Sequence, residues 1–296
     1  MEPIDRRLLL GAVGLASIAA LSKSSKAGPL SPPPGAATST GRTLDEVYNK
    51  IPGANGTGDG RIPIPGGAAA VTLALPGSYV LTGNITVASG AALAISTDNV
   101  TVDLNGYTIT SPVTAAATLV IGGLLRQNVR VRNGTVTGAL TGISVPGASN
   151  NIFLEDLTVL NAKTIGINIG ISTSRNNVVR RCSIHDTGST TTAADGNLTL
   201  YGIQTAGSTT RVEDCSVSRM LYLGSGTPTI NGIRFTNFTS SGNIISGCTV
   251  VNDAPITGLG IAGPGSIIGM YRNNAVVNFS SPYTMAGSWV NGGGNV

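Results

Sequence analysis

The apolar and polar positions of this chain follow no helical period over most of its length. Instead, seven segments share one ending: VDLNGYTI (102–109), VRVRNGTV (129–136), IFLEDLTV (152–159), NVVRRCSI (177–184), TRVEDCSV (210–217), NIISGCTV (243–250) and GMYRNNAV (269–276). Their last residues lie 27, 23, 25, 33, 33 and 26 apart. Between them runs a weaker series of glycine–hydrophobic pairs, Gly142-Ile143, Gly166-Ile167, Gly202-Ile203, Gly232-Ile233 and Gly260-Ile261. Two short strand motifs in each such period predict a coiled solenoid, in which a unit buries its apolar face only against its neighbours. In VRVRNGTV, Val129, Val131, Gly134 and Val136 point inward, so strand alternation is broken by two consecutive polar residues, Arg132 and Asn133. The break recurs at Glu155-Asp156, Arg180-Arg181, Glu213-Asp214, Ser246-Gly247 and Arg272-Asn273. A strand accommodates it only by turning a corner. Stacked units then place equivalent residues about 4.8 Å apart in parallel ladders.

Segments such as Asn151-Ile152 to Val159, Asn177 to Ile184 and Asn243 to Val250 resemble the repeats of right-handed parallel β-helix proteins of the pectate-lyase-like group. The resemblance covers about residues 70–280. It implies an all-β, right-handed parallel β-helix of eight or nine coils. It also implies contact with carbohydrate, without naming a reaction, because hydrolases, lyases, epimerases, phage proteins and adhesins share the fold. The Asn-Thr-Asp, Asp-Asp and Gly-His-Gly motifs of polygalacturonases are absent, as is the Asp-Pro-His of alginate epimerases. His185 precedes Asp186, the reverse of the pectate lyases' Asp-His signature.

The N-terminus follows a different pattern. Residues 1–27 carry Arg6-Arg7, an apolar run from Leu8 to Leu21, and small residues at Ser25 and Ala27. This is an export signal resembling the twin-arginine type, although Asp5 and Leu8 depart from that pattern, so general secretion stays open. The run is too short to span a bilayer, which takes about 20 residues. The protein is therefore expected in the periplasm, at the cell surface or outside a bacterial cell, with no membrane span once the signal is removed. Residues 28–42, with Pro29 and Pro32 to Pro34, read as a stiff linker. The stretch 43–67 reads as a short helix with a cap: Thr43 and Glu46 form a capping box before Leu44, Val47 and Ile51. The solenoid occupies 68–296.

Composition narrows the function classes. Charged residues make up 11% and aromatics 4%, with 41 glycines, which excludes a coiled coil or helical bundle. The formal charge of +4 falls to +2 without residues 1–27, which hold four basic and two acidic side chains. A nucleic-acid binder needs a much stronger basic field.

The corner columns carry most of the charge. Down the first run Asn105, Arg132, Glu155, Arg180, Glu213, Ser246 and Arg272, and down the second Gly106, Asn133, Asp156, Arg181, Asp214, Gly247 and Asn273. Sign alternates wherever adjacent units are charged, which suits a ladder that fixes register. The alternative is a sugar-acid groove, with Arg180 or Arg181 facing a carboxylate and Glu155 or Asp156 holding a metal. Cys182, Cys215 and Cys248, each 33 apart, predict a buried thiol stack rather than a metal site or disulfide.

The candidate chemistry gathers where the units lengthen. His185 or Arg219 would act as base, and Asp186 or Asp195 as orienter or metal ligand. Tyr201 and Tyr222 would offer sugar-stacking surfaces, with Asp195 and Arg234 beside them. Two function classes follow. One is a non-catalytic envelope or surface protein that binds polysaccharide or serves structurally. The other is a polysaccharide lyase or related enzyme with a cleft near residues 185–234. No cofactor or metal is expected, calcium entering only under the lyase alternative, and the chain is expected to be a monomer whose partner is a cell-envelope glycan.

Overall fold

The computed structural model describes residues 60–123, 125–188, 198–222, 226–236, 241–265 and 268–296. The expected export signal, the expected linker and the predicted helix at 43–51 lie outside the described residues. Among those described there is no helix, and the strands coil into a parallel β-helix of about eight turns, as the repeat predicts.

Three parallel sheets run the length of the coil. The first begins with Ile62–Ile64, Gly77–Leu81 and Val100–Asp103, and ends with Ser241–Ser246, Ile268–Arg272 and Trp289–Asn291. The second contains Ile85–Thr86, Thr108–Ser111, Ser183–His185 and Ser216–Ser218. The long strands Leu125–Gly138 and Ala148–Leu160 pass through the corner from the first sheet into the second. The third sheet stacks Val71–Leu73, Leu93–Ile95, Ala117–Ile121, Thr141–Val145, Ile165–Ile169, Thr199–Thr205 and Thr229–Phe235. The solenoid thus starts at Ile62, inside the stretch that the sequence assigns to a cap. That strand is three residues long and contains a proline, too little for its alternation to register.

The corner between the first and second sheets is made by one residue in the left-handed region. Asn133, Asp156, Asp214 and Asn273 have φ of 59°, 54°, 52° and 53°. Asn and Asp tolerate this conformation better than most residues. Arg181 adopts it too, at 50°, and its guanidinium grips Asp156 through Nε to Oδ1 at 2.7 Å and Nη2 to Oδ2 at 2.9 Å. The Arg181 hydrogen bond holds the Asp156 carboxyl below its usual range.

The register corrects one assignment. Asp103, not Asn105, pairs with Arg132, while Thr108 pairs with Thr135. The coil at 102–109 therefore carries two extra residues at its corner, which its regular ending conceals. The charged column runs Asp103, Arg132, Glu155, Arg180, Glu213, Ser246 and Arg272, so alternation extends one rung further than the sequence suggests. Its members meet as ion pairs: Arg132 to Asp103 at 3.2 Å and Arg180 to Glu155 at 2.6 Å. The buried Glu155 also faces Arg130 at 3.5 Å. Such pairing leaves little net field for an anionic sugar, and favours the register reading of this column.

Inside, the glycine series has a steric cause. A Cβ on Gly142, Gly166, Gly202, Gly232 or Gly260 would fall 2.2 to 2.4 Å from a γ-carbon of Val159, Ile184, Val217, Val250 or Val276 respectively. The third sheet can approach the second closely only where no side chain intervenes. Cys182, Cys215 and Cys248 are buried free thiols on consecutive coils. Each lies near two carbonyls; the Cys215 thiol donates to Glu213 O at 3.2 Å.

Candidate functional site

Beyond the second sheet, the chain turns again through left-handed residues, Asp186 (φ 58°) and Arg219 (φ 54°). The pairing of His185 with Ser218 puts these two turns on adjacent coils, one above the other. Arg219 Nε lies 3.1 Å from Asp186 Oδ1 and 3.7 Å from Asp253 Oδ2, so one guanidinium bridges carboxylates from the coils on either side. From here each coil takes a longer path to the third sheet than the coils before it. The result is an open groove of about 480 Å³. One wall is apolar, formed by Leu221, Pro228, Ile230 and Ile256, and Tyr222, Asn252 and Thr257 add polar atoms to the lining.

Three of the residues singled out from the sequence meet in this groove: Asp186, Arg219 and Tyr222. The others stand elsewhere. His185 is half-buried on the outer face of the second sheet, where its Nδ1 shares a hydrogen bond with the Ser218 hydroxyl, and it is not among the groove's lining residues. Its neighbour Asp186 turns away from it because the left-handed turn begins there. Tyr201 sits on the outer face of the third sheet, between Ile165 and Asn231 on adjacent coils. Arg234 lies on that sheet between Gln204 and Ala262, and its Nη1 donates to Asn231 Oδ1 at 3.3 Å. The strand Thr229–Phe235 links Ile230 in the groove to Arg234, four residues on, so these two surfaces adjoin. Asp195 lies outside the described residues.

Sequence reasoning missed Asp253, Asn252, Pro228, Ile256 and Thr257. The signal for the first two was the 33-residue spacing itself: Asp186, Arg219 and Asn252 fall in one series, and Asp253 follows. The others come from loop paths that periodicity does not predict.

Among the described residues, the groove holds two carboxylates against one guanidinium. Arg219 and Asp253 are well exposed, at 60% and 79% of their side chains, whereas Asp186 is at 22%. Any cation entering would compete with Arg219 for both carboxylates. Among the described residues, no cluster of three or more His, Cys, Asp or Glu side chains is arranged to hold a metal ion. A second groove of about 410 Å³ on the first sheet is lined by residues that include Asn151, Asn176, Arg180, Thr209 and Glu213. Among the described residues, no helix is long and apolar enough to cross a membrane.

No family model and no curated protein sequence matches the chain. Among solved structures, an alginate lyase from Paenibacillus sp. str. FPU-7 is 14% identical, with 76% of this chain and 99% of that one covered, at a TM-score of 0.39. PfbA, a surface adhesin of Streptococcus pneumoniae, is 8% identical over 79% of this chain and 62% of the other, at 0.40. The catalytic domain of a GH87 alpha-1,3-glucanase in complex with tetrasaccharides is 13% identical over 90% and 71%, at 0.43. At such low superposition these likenesses carry no argument about what the chain binds or does.

Proposed function

We propose that the chain is an exported β-helix protein that binds a neutral polysaccharide, without cleaving it, in the groove spanned by Asp186, Arg219, Tyr222 and Asp253. One observation carries this reading: a partly buried aromatic ring, an apolar wall and a bridged row of planar polar groups converge in one open groove across successive coils. Sugars present an apolar face that stacks on aromatic rings and a rim of hydroxyls that pair with carboxylate, amide and guanidinium groups. Two carboxylates against one guanidinium leave an excess negative charge, which disfavours polyuronates. His185, the one imidazole in the chain, is not among the groove's lining residues, and among the described residues the carboxyl groups lining it are Asp186 and Asp253, both facing the same guanidinium. Export rests on the Arg6-Arg7 pair and the apolar run that follows it.

The test is affinity electrophoresis of the purified protein in gels carrying soluble neutral glucans and xylans, polygalacturonate or alginate. Retardation by a neutral glycan, and weakening on the order of tenfold with Tyr222→Ala, is expected, since one stacked ring contributes about 1–2 kcal/mol. Preferential retardation by the polyuronates would sink the charge argument. New reducing or unsaturated ends, with or without calcium, would move the protein to the enzymes and make Asp186 and Asp253 the first residues to substitute.

A further inference from the structure

The outer face of the second sheet differs from the other two. One outward position per coil stacks Thr108, Thr135, Thr158, Ser183, Ser216 and Thr249 on six consecutive coils. The other outward position, two residues along each strand, runs Thr86, Thr110, Thr137, Leu160, His185 and Ser218. Pairing continues to Val251 with no shift of register, so the array is regular, about 4.8 Å between coils and about 6.7 Å between the two rows. It contains no Asp, Glu, Lys or Arg, whereas the first sheet's face carries the whole ladder from Asp103 to Arg272.

The state of the hydroxyls is the second observation. Some threonines elsewhere on the coil donate to a carbonyl of the coil before, Thr82 to Ile64 O at 3.2 Å, Thr164 to Leu140 O at 2.8 Å and Thr236 to Thr205 O at 3.3 Å, while the buried hydroxyls of Thr187, Thr205 and Thr210 have no partner among the described residues. The six hydroxyls of the first row have no hydrogen-bond partner among the described residues, yet all are half-buried or exposed. Their partners must be water. A regular lattice made mostly of hydroxyls and β-branched methyls, interrupted by Leu160 and His185 in the second row, fixes the positions of those waters in two dimensions. The coil repeat lies close to the shorter lattice repeat of hexagonal ice, and the distance between rows is comparable to the longer one.

We propose that this face binds ice, its first-shell waters merging with an ice surface. The N-terminal half, where Thr108, Thr110, Thr135, Thr137 and Thr158 stand together, forms its centre. Charge would oppose such merging by orienting water around itself, and this face carries no Asp, Glu, Lys or Arg. The proposal is independent of the glycan groove, which begins past the turn at Asp186 and Arg219.

The test partitions the full chain into slowly growing ice and scores ice recrystallisation in frozen thin layers. The wild-type protein is expected to enrich in the ice and to hold crystals small. Thr135→Tyr with Thr158→Tyr, which plants two rings in the middle of the lattice, should abolish both effects. Asn168→Tyr, on the outer face of the third sheet, should leave both intact. Should the double variant lose its β spectrum, Thr135→Lys takes its place. Exclusion of the wild-type protein from ice overturns the proposal whatever the variants do, as does an equal loss in the second-sheet and third-sheet variants. Because glycan retardation is read on different residues and a different probe, failure here leaves the groove assignment standing.

Discussion

Single side chains in this molecule are specified by the copies above and below them. Arg180 lies between Glu155 and Glu213, and Glu155, at 3% exposure, has lost most of its water. Arg180→Ala removes the closer of the two guanidinium partners of a buried carboxylate, an expected loss of about 1–3 kcal/mol in chemical denaturation, moderated by Arg130. Arg180→Glu adds like-charge contacts on both sides and should cost about 1–2 kcal/mol more, an excess that shrinks with added salt. Equal losses would mean that the column does not carry register. The sign alternation was readable without coordinates because the four successive units from Arg132 to Glu213 repeat it. The head of the column was not, since the two residues inserted at Asn105-Gly106 leave the coil's ending unchanged.

The thiols show the same dependence on neighbours. Hydrogen bonding to Cys182 and burial push the Cys215 thiol far up, and Cys215 together with burial does the same to Cys248. A raised folded value means stability that is full below the unfolded thiol value, near 9.0, and lost as pH climbs above it. Unfolding midpoints should therefore be flat in this respect below that pH and fall above it. Cys215→Val should make the decline shallower by one thiol's share, about 1.4 kcal/mol per pH unit. An unchanged slope would place Cys215 outside the core. A serine at this position would keep a hydrogen-bond acceptor within reach, Glu213 O, to which the Cys215 thiol donates at 3.2 Å, so Cys215→Ser leaves no stranded buried donor.

At the scale of elements, the third sheet and the second are held together by what the glycines lack. Gly202→Ala would put a methyl 2.4 Å from Val217 Cγ1 and 2.6 Å from Gly232 O, and should destabilise by about 2–4 kcal/mol. Adding Val217→Ala removes the side-chain clash but not the carbonyl, so rescue should be partial, measured as a double-mutant cycle. Gly90→Ala, at φ 72° with open space around it, should cost only about 1 kcal/mol. A cost at Gly202 no larger than at Gly90 would show that the two sheets can move apart. The sequence displayed this glycine series as a faint repeat, and its reason was invisible because the colliding partner belongs to another sheet. The groove was legible only at Asp186, Arg219 and Tyr222. Its far wall, from Pro228 to Thr257, depends on loop paths that no period encodes.

For the whole molecule, the groove at Asp186 and Arg219 needs a departure from regularity, and the hydroxyl face needs its preservation. The coils from Ile184 to Val250 are also separated by one constant step. Ile184 pairs with Val217 and Val217 with Val250, and the thiols and the corner residues keep the same step, while the inner glycines Gly166, Gly202 and Gly232 lie 36 and 30 residues apart. This makes the solenoid modular in heredity as well as in shape. A tandem duplication of the 33 residues from 184 to 216 would add one rung with every column continuous, whereas a duplication two residues shorter would throw corner residues into strands. The lengthened chain should fold with the same β spectrum, while the shortened duplicate should not. A gene encoding this architecture can thus change the reach of its product by whole coils through unequal recombination, long before selection has to find a single new side chain.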